Sequence, residues 1–298
     1  HRLAGSVSLP YCPGDDDVYF VAGRSIFLDG GLYLYRLAAV TGKLRICKRL
    51  DGYDPESGRE PQQFIRGVEM PGALPDVLRS DGKSIFMRQK RFDRELNELD
   101  QNVPHLYSSV GLLDDEWWHR TYWQWGTQMR SGYGGWPVIG RGVPAGRILA
   151  VNQTDIYGFG RNHYVHHGGH PGIAGETIFH YRPQGDAYAR FVHYRLFGLN
   201  IEQYEKDKAA AAKKKKKPRD WRRRGGPAPT YRWTRELPMT VRAMVLGDRS
   251  LVVAGLPEVL EADDPLAAWR GQRGGRLQVV STDDGSALAE LKLDDPPV

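Results

Sequence analysis

Residues 18–51 decide the fold; their sequence is VYFVAGRSIFLDGGLYLYRLAAVTGKLRICKRLD. Three short runs of aromatic, aliphatic and β-branched residues are separated by glycine-containing turn sequences, DGG at 29–31 and TGK at 41–43. Runs of this kind, bounded by Gly and Asp, are typical of strands joined by tight turns. The stretch therefore predicts three antiparallel strands, at 18–21, 32–37 and 44–50.

The same three-strand pattern recurs towards the end of the sequence. Residues 251–255 (LVVAG) match 19–23 (YFVAG), and residues 274–279 (GGRLQV) match 30–35 (GGLYLY). A turn at Asp284-Gly285 and a final strand complete the second copy. The recurrence predicts that the two segments form equivalent pieces of two sheets.

Partial copies of this unit lie between the two full ones, at 81–88 and 146–159. A strand–turn–strand unit that recurs along a chain is typical of a β-propeller, in which each unit is one blade. The sequence therefore predicts an all-β fold, a β-propeller of which this chain supplies a partial ring of roughly four to five blades. Two unrelated hairpins in a β-sandwich are the alternative.

The composition agrees with many short strands. The chain has 298 residues, including 35 glycines and 19 prolines, and little helical periodicity. This length suits one large core, so we expect residues 1–298 to form a single propeller domain or part of one. There is no run of about 18 apolar residues, which predicts no membrane span. Two cysteines exclude a disulfide-rich scaffold and Cys-rich metal motifs.

Two long connections interrupt the strand pattern. Residues 201–226 carry 11 basic and 4 acidic residues, so this insert accounts for a charge of +7 while the whole chain has +6. Although Ala209–Ala212 favour a helix, the like charges predict a solvated, mobile insert. Because the basic charge is local, nucleic-acid binding by the fold is disfavoured. The second connection, 256–273, is predicted to be a loop with a helical turn at 265–269.

A dense group of aromatic residues marks a candidate ligand surface within residues 104–161, which hold five of the eight tryptophans. Large rings beside cationic side chains suit the stacking of a flat cofactor or a sugar. Strand alternation also puts Trp117, His119, Thr121, Trp123 and Trp125 on one face, which favours packing between blades over ligand binding. The candidate ligand residues are Trp117, His119, Arg120, Trp123, Trp125 and Trp136.

Four histidines lie within eight positions and form a candidate metal site: His163, His166, His167 and His170. Neutral imidazole is a frequent ligand of zinc and copper, and a loop can gather three such rings. The nearby glycines and Pro171 argue against a helix that would give regular ligand spacing. A solvated polar loop is the favoured alternative. No HExxH or CxxCH motif is present, so neither a zincin nor attached c-type haem is indicated.

The repeat also carries a family resemblance. The unit AG…LDGG-LYLY-L-TGK resembles the repeat of pyrroloquinoline-quinone-binding-like propellers. Residues 71–161, with PGALPDVLRSDGKSIFMR, PHLYSSVGLLDDEWWHRTYWQWG and VPAGRILAVNQTDIYGFGR, are similar to a bacterial, planctomycete-type set of such repeat proteins, which are usually longer. The likeness covers most of the chain and is strongest in that block.

The resemblance implies two functions. The first is a non-catalytic propeller that acts as a binding or scaffold module, periplasmic or exported. The alternative is part of a quinone-dependent oxidoreductase, with pyrroloquinoline quinone and calcium as cofactors and catalytic residues outside this chain. No residue here matches the family's catalytic pattern, and fold alone does not give function. The expected partners are remaining blades of the same polypeptide or another protein chain, because an incomplete ring leaves sheet edges open.

Overall fold

The computed structural model of the protein describes residues 5–6, 16–23, 26, 30–51, 56–58, 78–88, 90–100, 103–108, 123–127, 143–161, 194–213 and 229–297. Within these ranges the chain is predominantly β, with 19 strands and one helix, as the all-β prediction requires. The elements fall into two compact units. Strands β1–β10 belong to the first unit, and β11–β19 with the helix belong to the second.

The first unit contains two four-stranded antiparallel sheets in chain order and one further strand pair. Sheet I consists of β1 (Gly5–Ser6), β2 (Asp17–Ala22), β3 (Leu32–Ala38) and β4 (Leu44–Leu50). Sheet II consists of β5 (Arg79–Ser80), β6 (Ile85–Met87), β7 (Lys90–Phe92) and β8 (Glu98–Leu99). The pair is formed by β9 (His105–Ser108) and β10 (Trp123–Gly126).

The second unit repeats this plan with two more four-stranded antiparallel sheets. After β11 (Ala145–Gly146), sheet III consists of β12 (Ile148–Val151), β13 (Asp155–Arg161), β14 (Tyr194–Asn200) and β15 (Trp233–Arg235). The helix α1 (Ile201–Lys213) follows β14. Sheet IV consists of β16 (Met239–Leu246), β17 (Ser250–Pro257), β18 (Gly275–Ser281) and β19 (Ala287–Leu293).

The strands predicted at both ends of the chain are confirmed as β2–β4 and β17–β19, the second to fourth strands of sheets I and IV. Their last turns have the same construction. Gly42 N donates to Ala38 O at 2.8 Å, and Gly285 N donates to Ser281 O at 3.1 Å. Both glycines have positive φ angles, +65° and +75°. Each hairpin also has a register shift one strand position before the turn, at Arg36/Leu37 and at Val279/Val280.

The predicted alignment of the two copies is wrong by one residue. The sequence match equates Tyr19 with Leu251, whereas the hydrogen-bond register equates Val18 with Leu251: Val18 faces Leu37 and Leu251 faces Val280. The register shifts and the turns fix the same alignment. Because successive residues of a strand point to opposite faces, this slip means that sheets I and IV bury opposite faces.

The apolar cores of the two units explain why sheets I and IV bury opposite faces. In the first unit, Tyr19, Val21, Leu32 and Leu34 of sheet I pack against residues of sheet II, the next sheet along the chain. In the second unit, Leu251, Val253 and Val280 of sheet IV pack against sheet III, the preceding sheet. Sheet I therefore buries the face that meets the next sheet along the chain, and sheet IV buries the face that meets the preceding sheet. The full clusters are Tyr19, Val21, Leu32, Leu34, Leu78, Ile85, Met87, Phe92 and Leu96, and Tyr157, Phe159, Leu196, Trp233, Leu237, Met239, Val241, Leu251, Val253 and Val280.

Trp233, at the start of β15, connects sheet III with sheet IV through a hydrogen bond. Its indole Nε1 donates a 2.9 Å hydrogen bond to Thr282 O in the β18–β19 turn. Arg232 Nη2 donates to the same carbonyl at 2.8 Å and to the hydroxyl of Tyr157 at 3.0 Å. Arg235 Nη1 donates to Gly285 O at 3.0 Å. Three donor-bearing side chains within four residues thus bind one turn of the neighbouring sheet.

The helix α1 occupies the first half of the predicted insert 201–226. Asn200 Oδ1 accepts a hydrogen bond from Gln203 N at 3.0 Å, which caps the helix, and Tyr204 is buried. The described half of the insert is therefore a regular, anchored helix, while residues 214–226 lie outside the described ranges. Mobility of the insert stays a prediction. In the described ranges no helix has the length and apolar character needed to cross a membrane.

Candidate functional site

Only two of the six candidate ligand residues lie in the described part of the chain. Trp123 and Trp125 are both on β10, two positions apart and therefore on the same face, as the alternation predicts. Trp117, His119, Arg120 and Trp136 lie outside the described residues, so the proposed cluster stays a prediction.

The more buried face of β10 is the one without the tryptophans. Gln124 and Gly126 are buried, whereas Trp123 and Trp125 are half-buried. The guanidinium of Arg79 on β5 lies over the Trp123 ring, with Cζ 3.8 Å from the centroid. This cation–π contact covers one face of the ring, so a flat ligand would have only the other face.

His105 on β9 is a buried histidine that the sequence analysis did not single out. Its ring stacks on Phe86 of sheet II, with centroids 4.4 Å apart. Nδ1 lies 2.8 Å from Val103 O, and Nε2 contacts Arg88 O. Since backbone carbonyls engage both ring nitrogens, His105 is a packing residue and has no free nitrogen for a metal.

The four candidate metal ligands, His163, His166, His167 and His170, all lie outside the described residues. Among the residues that are described, no group of three or more His, Cys, Asp or Glu side chains is placed to hold a metal ion. A metal site at these histidines stays a prediction.

The β17–β18 connection, residues 258–274, displays the largest concentration of exposed apolar side chains in the described ranges. We call it the apolar loop. Val259, Leu260, Leu266 and Trp269 are all exposed, Leu260 by 84%. Leu266 and Trp269 are three residues apart on one helical turn, in which Arg270 N donates to Leu266 O at 2.9 Å, so they share a face. The helical turn predicted at 265–269 is confirmed.

The apolar loop is held in one shape by its own bonds. Arg273 Nε donates to Glu261 at 2.5 Å, and Arg270 Nη2 binds Asp264 at 2.7 Å. Ala267 and Ala268 are buried beneath the exposed pair. At the loop's start, Glu258 N donates to Pro238 O at 3.0 Å, next to the connection between sheets III and IV. The exposed side chains are therefore displayed on an ordered support.

Charge surrounds the exposed side chains. The apolar loop contains four acidic and two basic residues. The hydrogen bond from Arg273 lowers the pKa of Glu261, which keeps this carboxylate ionised in its ion pair. Arg242 on β16 lies over the Trp269 ring, with Cζ 5.6 Å from its centroid, and orients the indole. The loop thus combines apolar area with a net negative charge.

Sequence reasoning predicted the apolar loop as a connection but not as a site. Its apolar residues are spaced irregularly, and only the structure shows that Ala267 and Ala268 turn inwards while Leu266 and Trp269 turn outwards. The adjacent pair Val259-Leu260 between acidic residues was the one local indication.

No protein-family model matches this chain, and no curated protein matches it.

Proposed function

We propose that the chain is a β-propeller of quinoprotein-like repeats that acts as a non-catalytic binding module, with the apolar loop as its contact surface for a partner protein. The observation that carries the proposal is the display of Leu260, Leu266 and Trp269 on a loop fixed by internal ion pairs. Ordered apolar side chains facing solvent are typical of protein–protein interaction sites.

The sheet arrangement supports the propeller. Each unit contains two four-stranded antiparallel sheets that share a face-to-face core, and sheets I and IV have the same turn and register shift. Within the second unit the first strands of the two sheets, β12 and β16, lie beside each other. Consecutive meanders that pack by their faces, with first strands adjacent, match the blade order of propellers.

The chemistry of the apolar loop indicates the kind of partner. Trp is strongly enriched among the residues that dominate binding energy at interfaces, and Trp269 is already oriented by Arg242. Asp264 and Glu261 are paired within the loop, whereas Glu258 and Asp263 add negative charge beside the apolar side chains. The surface therefore suits a segment with apolar anchors and flanking basic residues.

Peptide selection on the folded chain tests the proposal. Peptides are selected from a random displayed library, and their dissociation constants are measured by fluorescence titration. We expect apolar, basic peptides whose affinity falls about tenfold or more in Leu266→Ser and in Trp269→Ser. The matched control is Leu288→Ser on β19, because Leu288 and Leu266 are exposed by 58% and 55%.

The control variant should bind as the parent protein does. Failure to enrich any peptide, or enrichment of peptides that bind Leu266→Ser and the parent equally, would contradict the proposal. The oxidoreductase alternative stays a prediction; uptake of pyrroloquinoline quinone with calcium and dye-linked alcohol oxidation would support it instead.

A further inference from the structure

The β18–β19 turn of sheet IV contacts the indole of Trp233 and shows which groups a turn of this construction can bind. A Cβ added at Gly285 would lie 2.5 Å from Cε3 of the indole, so the ring lies directly on the glycine. The turn's carbonyl oxygens accept hydrogen bonds from Trp233, Arg232 and Arg235. Together, these contacts form a socket for one indole flanked by guanidinium groups.

The equivalent turn of sheet I, residues 38–43, is open. Gly42 occupies the place of Gly285 with nearly the same φ, and nothing in the described residues lies within 4 Å of an added Cβ. Val40 beside it is 88% exposed. Three tryptophans in the described ranges make contacts away from Gly42. The Trp233 ring lies on Gly285, the Trp123 ring lies under Arg79, and the Trp269 ring lies under Arg242.

The sheet face on the same side as this turn is incompletely covered. We call it the aromatic face; it consists of Val18, Phe20, Tyr33, Tyr35 and Leu37 of β2 and β3, and all five are half-buried. Phe20 and Tyr35 stack with ring centroids 4.7 Å apart. Their register equivalents Val253 and Gln278 in sheet IV are fully buried in the second unit. A sheet face that is buried in one copy and, as an aromatic surface, half-open in the other indicates a docking face.

We propose that the aromatic face and the Gly42 turn bind the edge strand of a partner chain's β-sheet, a strand with an Arg-Trp-x-Arg pattern whose indole lies on Gly42. The partner chemistry follows from Arg232, immediately before β15, and from Trp233 and Arg235 on β15, which form this pattern and bind the equivalent turn. The site uses no residue of the apolar loop, so either proposal can fail while the other holds.

The test uses the full chain labelled with ¹⁵N and the synthetic peptide YRWTREL, a copy of residues 231–237. Addition of the peptide should move the amide resonance of Gly42 upfield in a dose-dependent manner, because an indole face shields the groups it covers. The same peptide with alanine in place of tryptophan should give no upfield shift. Gly58 is the internal control, since it also has φ +65° and open space around its Cβ position.

Two variants complete the test. Gly42→Asn should weaken peptide binding at least tenfold, measured at the Lys43 amide, while Gly58→Asn should not, and Asn tolerates the left-handed region at both positions. Absence of a shift at Gly42, equal shifts with both peptides, or equal effects of the two variants would overturn the proposal. So would contact between Gly42 and an indole in the free chain, since the chain itself would then fill the socket.

Discussion

The indole of Trp233 and the backbone of Gly285 are in direct van der Waals contact, and no side chain larger than hydrogen fits between them. Gly198 of β14 lies against the same ring, since a Cβ added there would be 2.6 Å from Cε2. Glycine allows this close approach of ring and backbone. The contact between sheets III and IV therefore requires glycine at both positions as well as the indole of Trp233.

Gly285→Ala should destabilise the protein by about 3 kcal/mol, because the new methyl group displaces the Trp233 ring and the backbone is left-handed. Gly42→Ala is the matched variant, with a similar φ but open space, and should cost only about 1 kcal/mol. The free energy of unfolding from urea titrations measures both. Equal losses would show that the ring contact contributes nothing.

Trp233→Phe should lower the free energy of unfolding by about 1.5 kcal/mol, since phenylalanine cannot donate to Thr282 O and leaves part of the indole volume empty. Trp269→Phe removes an exposed indole and should change stability by less than about 0.5 kcal/mol. Thermal and urea unfolding of the two variants would be compared. A larger loss at Trp269 would contradict the burial assigned to these rings.

Asp17 should make folding sensitive to acid. Burial by itself raises the pKa of Asp17, but hydrogen bonds from Arg36 and Arg45, each 2.6 Å long, outweigh it and lower the pKa below 3.8. Since the folded pKa is below the unfolded one, the carboxylate stabilises the fold above about pH 4, and this contribution disappears as the pH falls through the folded pKa.

The test for Asp17 is the pH profile of stability. Asp17→Asn should cost about 2 kcal/mol at neutral pH and should flatten the profile below about pH 4. Glu290→Gln, in an exposed ion pair with Arg276, serves as the control and should leave the acid limb almost unchanged. An unaltered profile in Asp17→Asn would assign the acid sensitivity to other carboxylates.

Arg79→Ala should remove the cation–π contact with Trp123 and cost about 1 kcal/mol, while Arg79→Lys should keep part of it. In protein labelled with 5-fluorotryptophan, the ¹⁹F resonance of Trp123 should move in the alanine variant and move less in the lysine variant. If a flat ligand binds at Trp123, uncovering the ring should strengthen that binding. Identical spectra for the parent and both variants would refute the contact.

The strands at both ends of the chain were predictable because each run of apolar residues is bounded by a glycine turn. The residue-by-residue match was not, because a sequence comparison pairs residues of the same type, whatever their place in the hydrogen-bond register. Leu251 was matched to Tyr19 because Val-Ala-Gly follows two residues later in both copies, yet the hydrogen bonds equate Leu251 with half-buried Val18. Which face of a sheet is buried depends on whether its partner follows or precedes it, and a local pattern does not contain that information.

The candidate sites were less predictable than the strands. The alternation of Trp123 and Trp125 on β10 was foreseen correctly, but the contact with Arg79 joins residues more than 40 positions apart and has no local signature. The apolar loop escaped attention for a related reason: Leu266, Ala267, Ala268 and Trp269 form one apolar run in the sequence. Its division into an inner and an outer pair depends on a single helical turn.

The one-residue slip between sheets I and IV separates what the two copies share from what they do not. What the two copies have in common is backbone: left-handed glycines at Gly42 and Gly285, a shared register irregularity, and Gly31 and Gly274, which both press against the carbonyl that closes the last strand. The side chains differ because each copy packs against a different neighbouring sheet. Further copies of this module are therefore better sought by the spacing of their glycines than by the similarity of their hydrophobic residues.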